Sequence, residues 1–234
     1  MTGELVTNII NGSIETLLMT IIGTLLAYLI GFPLGVILNM TSKNGIRPNK
    51  WINTIVGVFV NIMRSIPCLL LIVILMPLTR AIFSRATGEW YTMIIPILFA
   101  SFGFVSRLVE SSLNEVNTGV IEASKSMGAS NFQIITKVLL VEAKPSLING
   151  IAVTLINVIG LTAFAHSFSA GGLITLAYSY YTKNTLHYLE GPTIWIILIA
   201  IVLIVQVIQE LGLFLEKKLD KRRKLKWKNE ILFY

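Results

Sequence analysis

Long apolar runs separated by short polar inserts dominate the chain. Four of them, at about 14–40, 90–106, 145–165 and 193–215, approach or exceed the roughly 20 residues that a helix needs to cross a bilayer. The apolar positions are continuous rather than alternating, which excludes a membrane β-barrel. A fifth apolar region, 51–78, is interrupted by Arg64 and Pro67, and it has two readings. In the first, 51–63 is an amphipathic segment on the inner membrane surface, Arg64 snorkels to that surface, and the span starts near Ser65. In the second, one long kinked helix turns Arg64 towards a partner or cavity. The first is preferred. Within the first run, Gly31-Phe-Pro-Leu-Gly35 offers a close-packing site for a neighbouring helix, and Pro33 suggests a kink.

Composition agrees with this pattern. Hydrophobic residues make up 54% of the 234, charged residues 13%, and mean hydropathy is +0.76, outside the range of ordinary soluble domains. The fold class is therefore an all-α polytopic membrane protein with about five transmembrane helices. We divide it into a transmembrane domain, 1–216, and a basic tail, 217–234. A cleavable leader is not expected, since Glu4 and no basic run precede the first apolar stretch. The single cysteine, Cys68, falls in an apolar run and reads as packing. No metal site is expected, because His166 has no ligand spacing to His187.

Charge sets the orientation. Lys43, Arg47 and Lys50 follow the first span. Arg107, Lys125, Lys137 and Lys144 separate the third and fourth, and eight basic residues from Lys217 to Lys228 follow the fifth. Only Arg80, Arg85 and Lys183 lie in the other loops. The positive-inside rule puts the N-terminus outside and the C-terminus in the cytoplasm. The net charge of +7 thus points to anionic lipid rather than nucleic acid as the partner of the tail.

The same rule places the polar insert at about 115–144 in the cytoplasm. It reads as a hairpin of two short helices. Gly128 supplies the turn, and Ser130-Asn-Phe-Gln133 has the form of a capping box that starts the second helix. Ala123, Ser124 and Ala129 are small enough for a partner to approach closely, and Phe132 and Ile134 offer apolar anchors. Local features alone leave open whether this hairpin grips another protein or packs only on its own membrane helices.

The segment Glu122-Ala-Ser-Lys-Ser-Met-Gly-Ala129, with Val138-Leu-Leu140 ten residues after the glycine, resembles the "EAA loop" of ABC importer permeases. The usual closing proline is Val141 here. Asn61-Ile-Met-Arg-Ser-Ile-Pro67, Arg107-Leu-Val-Glu110, Gly119-Val-Ile-Glu-Ala-Ser124 and Ser169-Ala-Gly-Gly-Leu173 resemble the methionine-importer branch. The resemblance runs from about Ile14 to Leu215. It implies a bacterial plasma-membrane permease that works as a homodimer, with separate ATPase subunits and an extracellular substrate-binding lipoprotein. ATP and Mg would sit on the ATPase, and this chain would hold no cofactor. Glu122, Ala123, Ser124, Gly128, Ala129 and Phe132 would form the coupling element. The chain has no phosphate-binding G-x-x-x-x-G-K-[ST] loop of its own.

Other polar residues admit two uses. Asn149, Val153, Asn157 and Gly160 share one face of the fourth span. Asn157 either lines a pathway or bonds to a neighbouring helix, and the second is preferred. The resemblance puts Thr162 and Phe164 near a gate. Arg107 and Glu110 are spaced to pair. Ala-His-Ser-Phe-Ser at 165–169 departs from the small, Gly-rich stretch usual in the family, which bears on the cargo. The rival readings are a permease of the same architecture for another nutrient and a secondary transporter. The latter needs a membrane acid or base to couple ions, and spans three and four have none. Nor does any paired carboxylate or nucleophile–base spacing suggest an intramembrane enzyme.

This topology predicts the reactivity of single cysteines placed on a Cys68-free background. In intact cells, a membrane-impermeant maleimide should label cysteines replacing Thr87 or Asn184 and spare one replacing Ser126. The reverse labelling pattern would overturn the orientation.

Overall fold

The computed structural model describes residues 2–183 and 192–219. Asn184, His187 and the tail from 220 onwards lie outside the described residues. Among those described, all regular structure is helical. The main elements are α1 (Thr2–Thr41), α2 (Lys50–Ser65), α3 (Cys68–Phe83) and α4 (Ile94–Asn114). A hairpin made of α5 (Thr118–Ser126), α6 (Asn131–Gln133), a π-helical stretch (Ile134–Leu139) and α7 (Leu140–Glu142) follows. The chain continues as α8 (Lys144–Thr162), a 3₁₀ segment (Ala163–Phe168), α9 (Gly172–Lys183) and α10 (Pro192–Leu219). Among the described residues four helical segments are long and apolar enough to cross a membrane, and the bent pair α2–α3, taken as one span, brings the number to five.

The centre of the fold is the pairing of α1 with α4. The two run parallel. Gly23 lies against Ile97, Gly31 against the Phe102 carbonyl and Val105, and Gly35 against the Ser106 carbonyl and Val109. A Cβ at Gly31 would fall 2.6 Å from the Phe102 oxygen, and one at Gly35 would fall 2.5 Å from the Ser106 oxygen. Only glycine lets the backbones come so close. α1 passes through Pro33 as one continuous helix, with Pro33 on its exposed side. α8 covers α4 from another side and runs antiparallel to it: Ser146 bonds Ser112 at 3.0 Å, and Gly150 lies against Leu108. α10 packs on α8 where Gly212 meets Ala152. Much of the surface of α10 remains exposed and apolar, from Trp195 to Phe214, as a lipid-facing or partner-facing helix requires.

The region around Arg64 is two helices, with the break at Ser65–Pro67. α2 starts beside the end of α1, with Asn53 donating to the Leu38 carbonyl at 2.8 Å. It then climbs antiparallel along α4: Gly57 meets Arg107, Phe59 stacks on Phe102, and the Arg64 stem lies against Gly103. After a bend of 102° at Ser65–Pro67, α3 carries the chain on until Phe83 packs against Tyr91 at the opposite end of α4. Together the pair is long and apolar enough to form one broken span. Arg64, at the end of α2, thus lies exposed beside Gly103 of α4.

At the end of the bundle away from the hairpin, α1 holds the start of α9. Glu15 accepts the Gly172 N–H at 2.7 Å, and the Thr16 hydroxyl accepts the Leu173 N–H at 2.9 Å. These side chains replace a local N-cap, which positive φ angles at Gly171 and Gly172 would not otherwise supply. His166 stacks on Tyr178 at 3.6 Å between ring centres, so it is packed against its own chain. The α1–α4 contact predicts that Gly31→Ala, by over-packing, destabilises the protein by about 1–3 kcal/mol. Thermal unfolding in detergent should show a lower midpoint than Gly3→Ala, where the added methyl meets nothing. Equal midpoints would mean that the seam tolerates a side chain.

Candidate functional site

The hairpin is built by local chemistry that the sequence specifies. Asn117 caps α5 by accepting the Gly119 N–H at 2.8 Å. At the other end of α5, the Ala129 N–H reaches the Ser124 carbonyl and the Gly128 N–H reaches the Lys125 carbonyl. This is the Schellman arrangement, with Gly128 at φ +80° in its left-handed position. The second arm begins with the expected capping box. The Ser130 hydroxyl accepts the Gln133 N–H at 3.3 Å, and the Gln133 side-chain carbonyl accepts the Ser130 N–H at 2.9 Å. Two helix ends are thus closed within a four-residue turn.

The base of the hairpin is fixed to the bundle. Ile134 and Leu139 are fully buried and join Phe102, Val105, Val109 and Leu113 of α4 in one apolar cluster. Ile134 was expected to be an anchor for a partner. It is instead an anchor for the chain's own core, because the second arm turns that side of its helix towards α4. Ser124 is buried, with its hydroxyl on the Val120 carbonyl, and Ala129 packs at the edge of the same cluster. Asn39 on α1 donates to Asn114 at 2.7 Å, so α1 also grips α4 at the point where the chain leaves for the hairpin. The six π-helical residues hold one more residue per turn than an α-helix, a feature that recurs at functional sites.

The tip of the hairpin is exposed. Glu122 and Ala123 face solvent, and so do Phe132 at 74%, Met127 at 80% and Val120 at 40% relative exposure. The structure therefore divides the six coupling candidates. Glu122, Ala123 and Phe132 are presented outwards, Gly128 makes the turn between them, and Ser124 and Ala129 support it from beneath. Sequence reasoning missed Met127, whose signal was an apolar side chain directly before the turn glycine in an otherwise polar insert.

The remaining candidates separate as well. Asn157 and Val153 are exposed on α8, and a Cβ at Gly160 would meet nothing within 4 Å. Asn149, on the same face, lines a cavity of about 240 Å³ with Ser112 and Ser146. Val153, Asn157 and Gly160 face away from the chain's own helices, whereas Asn149 sits over α4, and no hydrogen bond joins Asn157 to a neighbouring helix among the described residues. Thr162 is buried and returns its hydroxyl to the Ile159 carbonyl at 2.7 Å. Phe164 is half-buried against the cluster around Met93 and Ile97. Arg107 and Glu110 pair at 2.7 Å as their spacing suggested, and the guanidinium also donates to the Asn61 side chain and the Gly57 carbonyl. Among the described residues, no group of three or more His, Cys, Asp or Glu side chains could hold a metal ion.

Comparison with known proteins places this architecture. Residues 31–223 match the family described as binding-protein-dependent transport system inner membrane component. The chain is 40% identical over 210 residues to the probable D-methionine transport system permease protein MetI of Pasteurella multocida, covering 90% of this chain and 94% of that protein. It is 41% identical over 188 residues to the methionine import system permease protein MetP of Bacillus subtilis, covering 80% and 82%. A solved structure of the MetNI methionine ABC transporter in inward-facing conformations matches at a TM-score of 0.87 and 34% identity, over 94% of this chain and 100% of that one. The chain belongs to the family of binding-protein-dependent transport system inner membrane components, as a permease subunit and so a transporter component rather than an enzyme.

Proposed function

We propose that this chain is the membrane subunit of an ATP-driven importer for methionine or a related amino acid in a bacterial plasma membrane. The observation that carries the reading is the hairpin: an exposed apolar tip of Val120, Ala123, Met127 and Phe132 on a base buried in the α1–α4 core. A solvated loop gains nothing by exposing four apolar residues around one closed turn, whereas a partner cleft does. The names of the relatives and of the matching structure support methionine as the cargo.

In this reading two copies of the chain pair through the exposed faces, and each hairpin docks on an ATPase subunit that binds ATP and Mg. An extracellular binding protein delivers the cargo, and the basic tail rests on anionic lipid. ATP binding draws the ATPases together. Because Ile134 and Leu139 are packed on α4, the hairpin cannot move without carrying α4, and α1 follows through the glycine seam. The exposed Asn157 stripe on α8 is placed along the path, with Thr162 and Phe164 at its far end. Nucleotide and binding protein each favour one arrangement of the helices and so bias one shared equilibrium.

Two variants test the docking. Ala123→Trp places bulk on the exposed tip. Gly128→Val meets no neighbour but must hold a positive φ, at a cost of about 1–2 kcal/mol. Both should insert and express normally, yet lose co-purification with the ATPase and at least about tenfold of transport. Full ATPase binding together with full transport in both variants would remove the hairpin from the mechanism. The cargo has its own test, uptake of labelled methionine in a strain lacking its other methionine importers. Deleting this gene should abolish the remaining uptake, and unchanged uptake would sink methionine while leaving the permease class intact.

A further inference from the structure

Arg64 sits where a membrane protein can least afford an idle charge. Its Cγ packs so closely on Gly103 that a Cβ there would lie 2.8 Å away, and Gly103 is halfway along the span Trp90–Asn114. At 1.5 Å per residue, Arg64 branches off about 16–20 Å from either end of that helical segment, inside the apolar run 90–106 and one turn before Arg107. The side chain is exposed, and no ion pair or hydrogen bond engages it among the described residues. Its neighbours differ in this respect. Arg107, one turn along α4, is held by Glu110, Asn61 and the Gly57 carbonyl. Arg64 does not share the Glu110 carboxylate.

A guanidinium facing lipid at that depth is strongly disfavoured, and intramembrane charges usually mark a substrate or ion path. The surroundings suit an anion. Asn61, Arg64 and Ser65 form an exposed polar face on the last turn of α2. Arg107 lies on the same wall, its charge balanced by Glu110. The chain breaks directly afterwards, and α3 starts at Cys68 with no side-chain cap from Pro67, so its positive helix end adds to the same field. Beyond the break, α3 exposes Leu69, Leu70 and Val73, an apolar surface that follows the cation along the chain. A planar guanidinium is matched in shape and charge by a carboxylate, and the apolar surface is matched by an uncharged, apolar side chain.

We propose that Arg64 lies on the translocation path and receives the carboxylate of the transported amino acid as it passes this level of the bundle. The proposal rests on the amino-acid importer reading above. It makes Arg64 a substrate contact rather than a packing residue or a surface anchor.

The test uses the complete complex, with its ATPase and binding protein, in proteoliposomes on a Cys68→Ser background. Arg64→Gln should assemble normally and keep nucleotide hydrolysis, while labelled-methionine uptake falls at least about tenfold. Arg64→Lys should retain uptake within about threefold of the parent. Arg64→Cys should be as poor as Arg64→Gln, react with water-soluble aminoethyl methanethiosulfonate, and recover uptake once that reagent restores a cation. Methionine should slow the reaction. Parent-level uptake by Arg64→Gln overturns the proposal. So does failure of Arg64→Gln to assemble, which would assign the charge to a contact between subunits. So does a cysteine that the reagent cannot reach. If the parent complex itself carries no methionine, the importer reading fails for that cargo and this site falls with it.

Discussion

The rest of the structure depends on the contact of α1 with α4 through Gly31 and Gly35. In lipid, apolar side chains gain little by meeting each other, since the tails are equally apolar. Association rests on close van der Waals contact and polar bonds. Two glycines set against backbone carbonyls of the neighbouring helix satisfy that requirement directly. The seam fixes α4, and α4 fixes everything attached to it: α2 through Arg107, α8 through Ser112 and Leu108, and the hairpin through the cluster around Leu113. The other end of α1 fixes α9 through Glu15 and Thr16. One helix pair thus connects the two ends of the molecule.

In the proposed function, this arrangement lets a small, polar insert move a membrane bundle. The hairpin has two closed helix ends, an exposed tip and a buried base, so force applied at Met127 and Phe132 is delivered to α4 rather than absorbed in the loop. The π-helical stretch between α6 and α7 lies on this route. Its buried ends, Ile134 and Leu139, hold it to the core on both sides of the wide turn. The Asn39–Asn114 bond reinforces the junction from α1. A polar bond there is well placed, because it joins the helices where side chains leave the apolar layer.

Much of this was legible in the sequence, and the exceptions have physical causes. The spans follow from continuous apolar runs. The glycine seam follows from Gly31-x-x-x-Gly35, the turn from Gly128, and the second arm from Ser130 and Gln133, because each of these is a local signal. Ile134 was misread because exposure of an apolar residue on a short helix depends on which side the rest of the fold covers. The π-helical stretch carries no composition that marks it. Pro67 announced the break between α2 and α3, but the depth of that break is a property of packing: it follows from Gly103 accepting the Arg64 stem. Asn157 had two readings in sequence because an amide in a membrane helix bonds a neighbour or faces water, and its exposure on α8 depends on the helices packed around it.

The central claim is that the hairpin tip is the surface on which the ATPase engages this subunit. Its most direct measurement replaces Phe132 with a photoreactive benzophenone amino acid in the assembled, transporting complex, with the same probe at Ile10, exposed at the opposite end of α1, as the control. Irradiation should join position 132 covalently to the ATPase subunit and leave position 10 free of that adduct. A complex that transports normally but gives no ATPase adduct from position 132 would contradict the account.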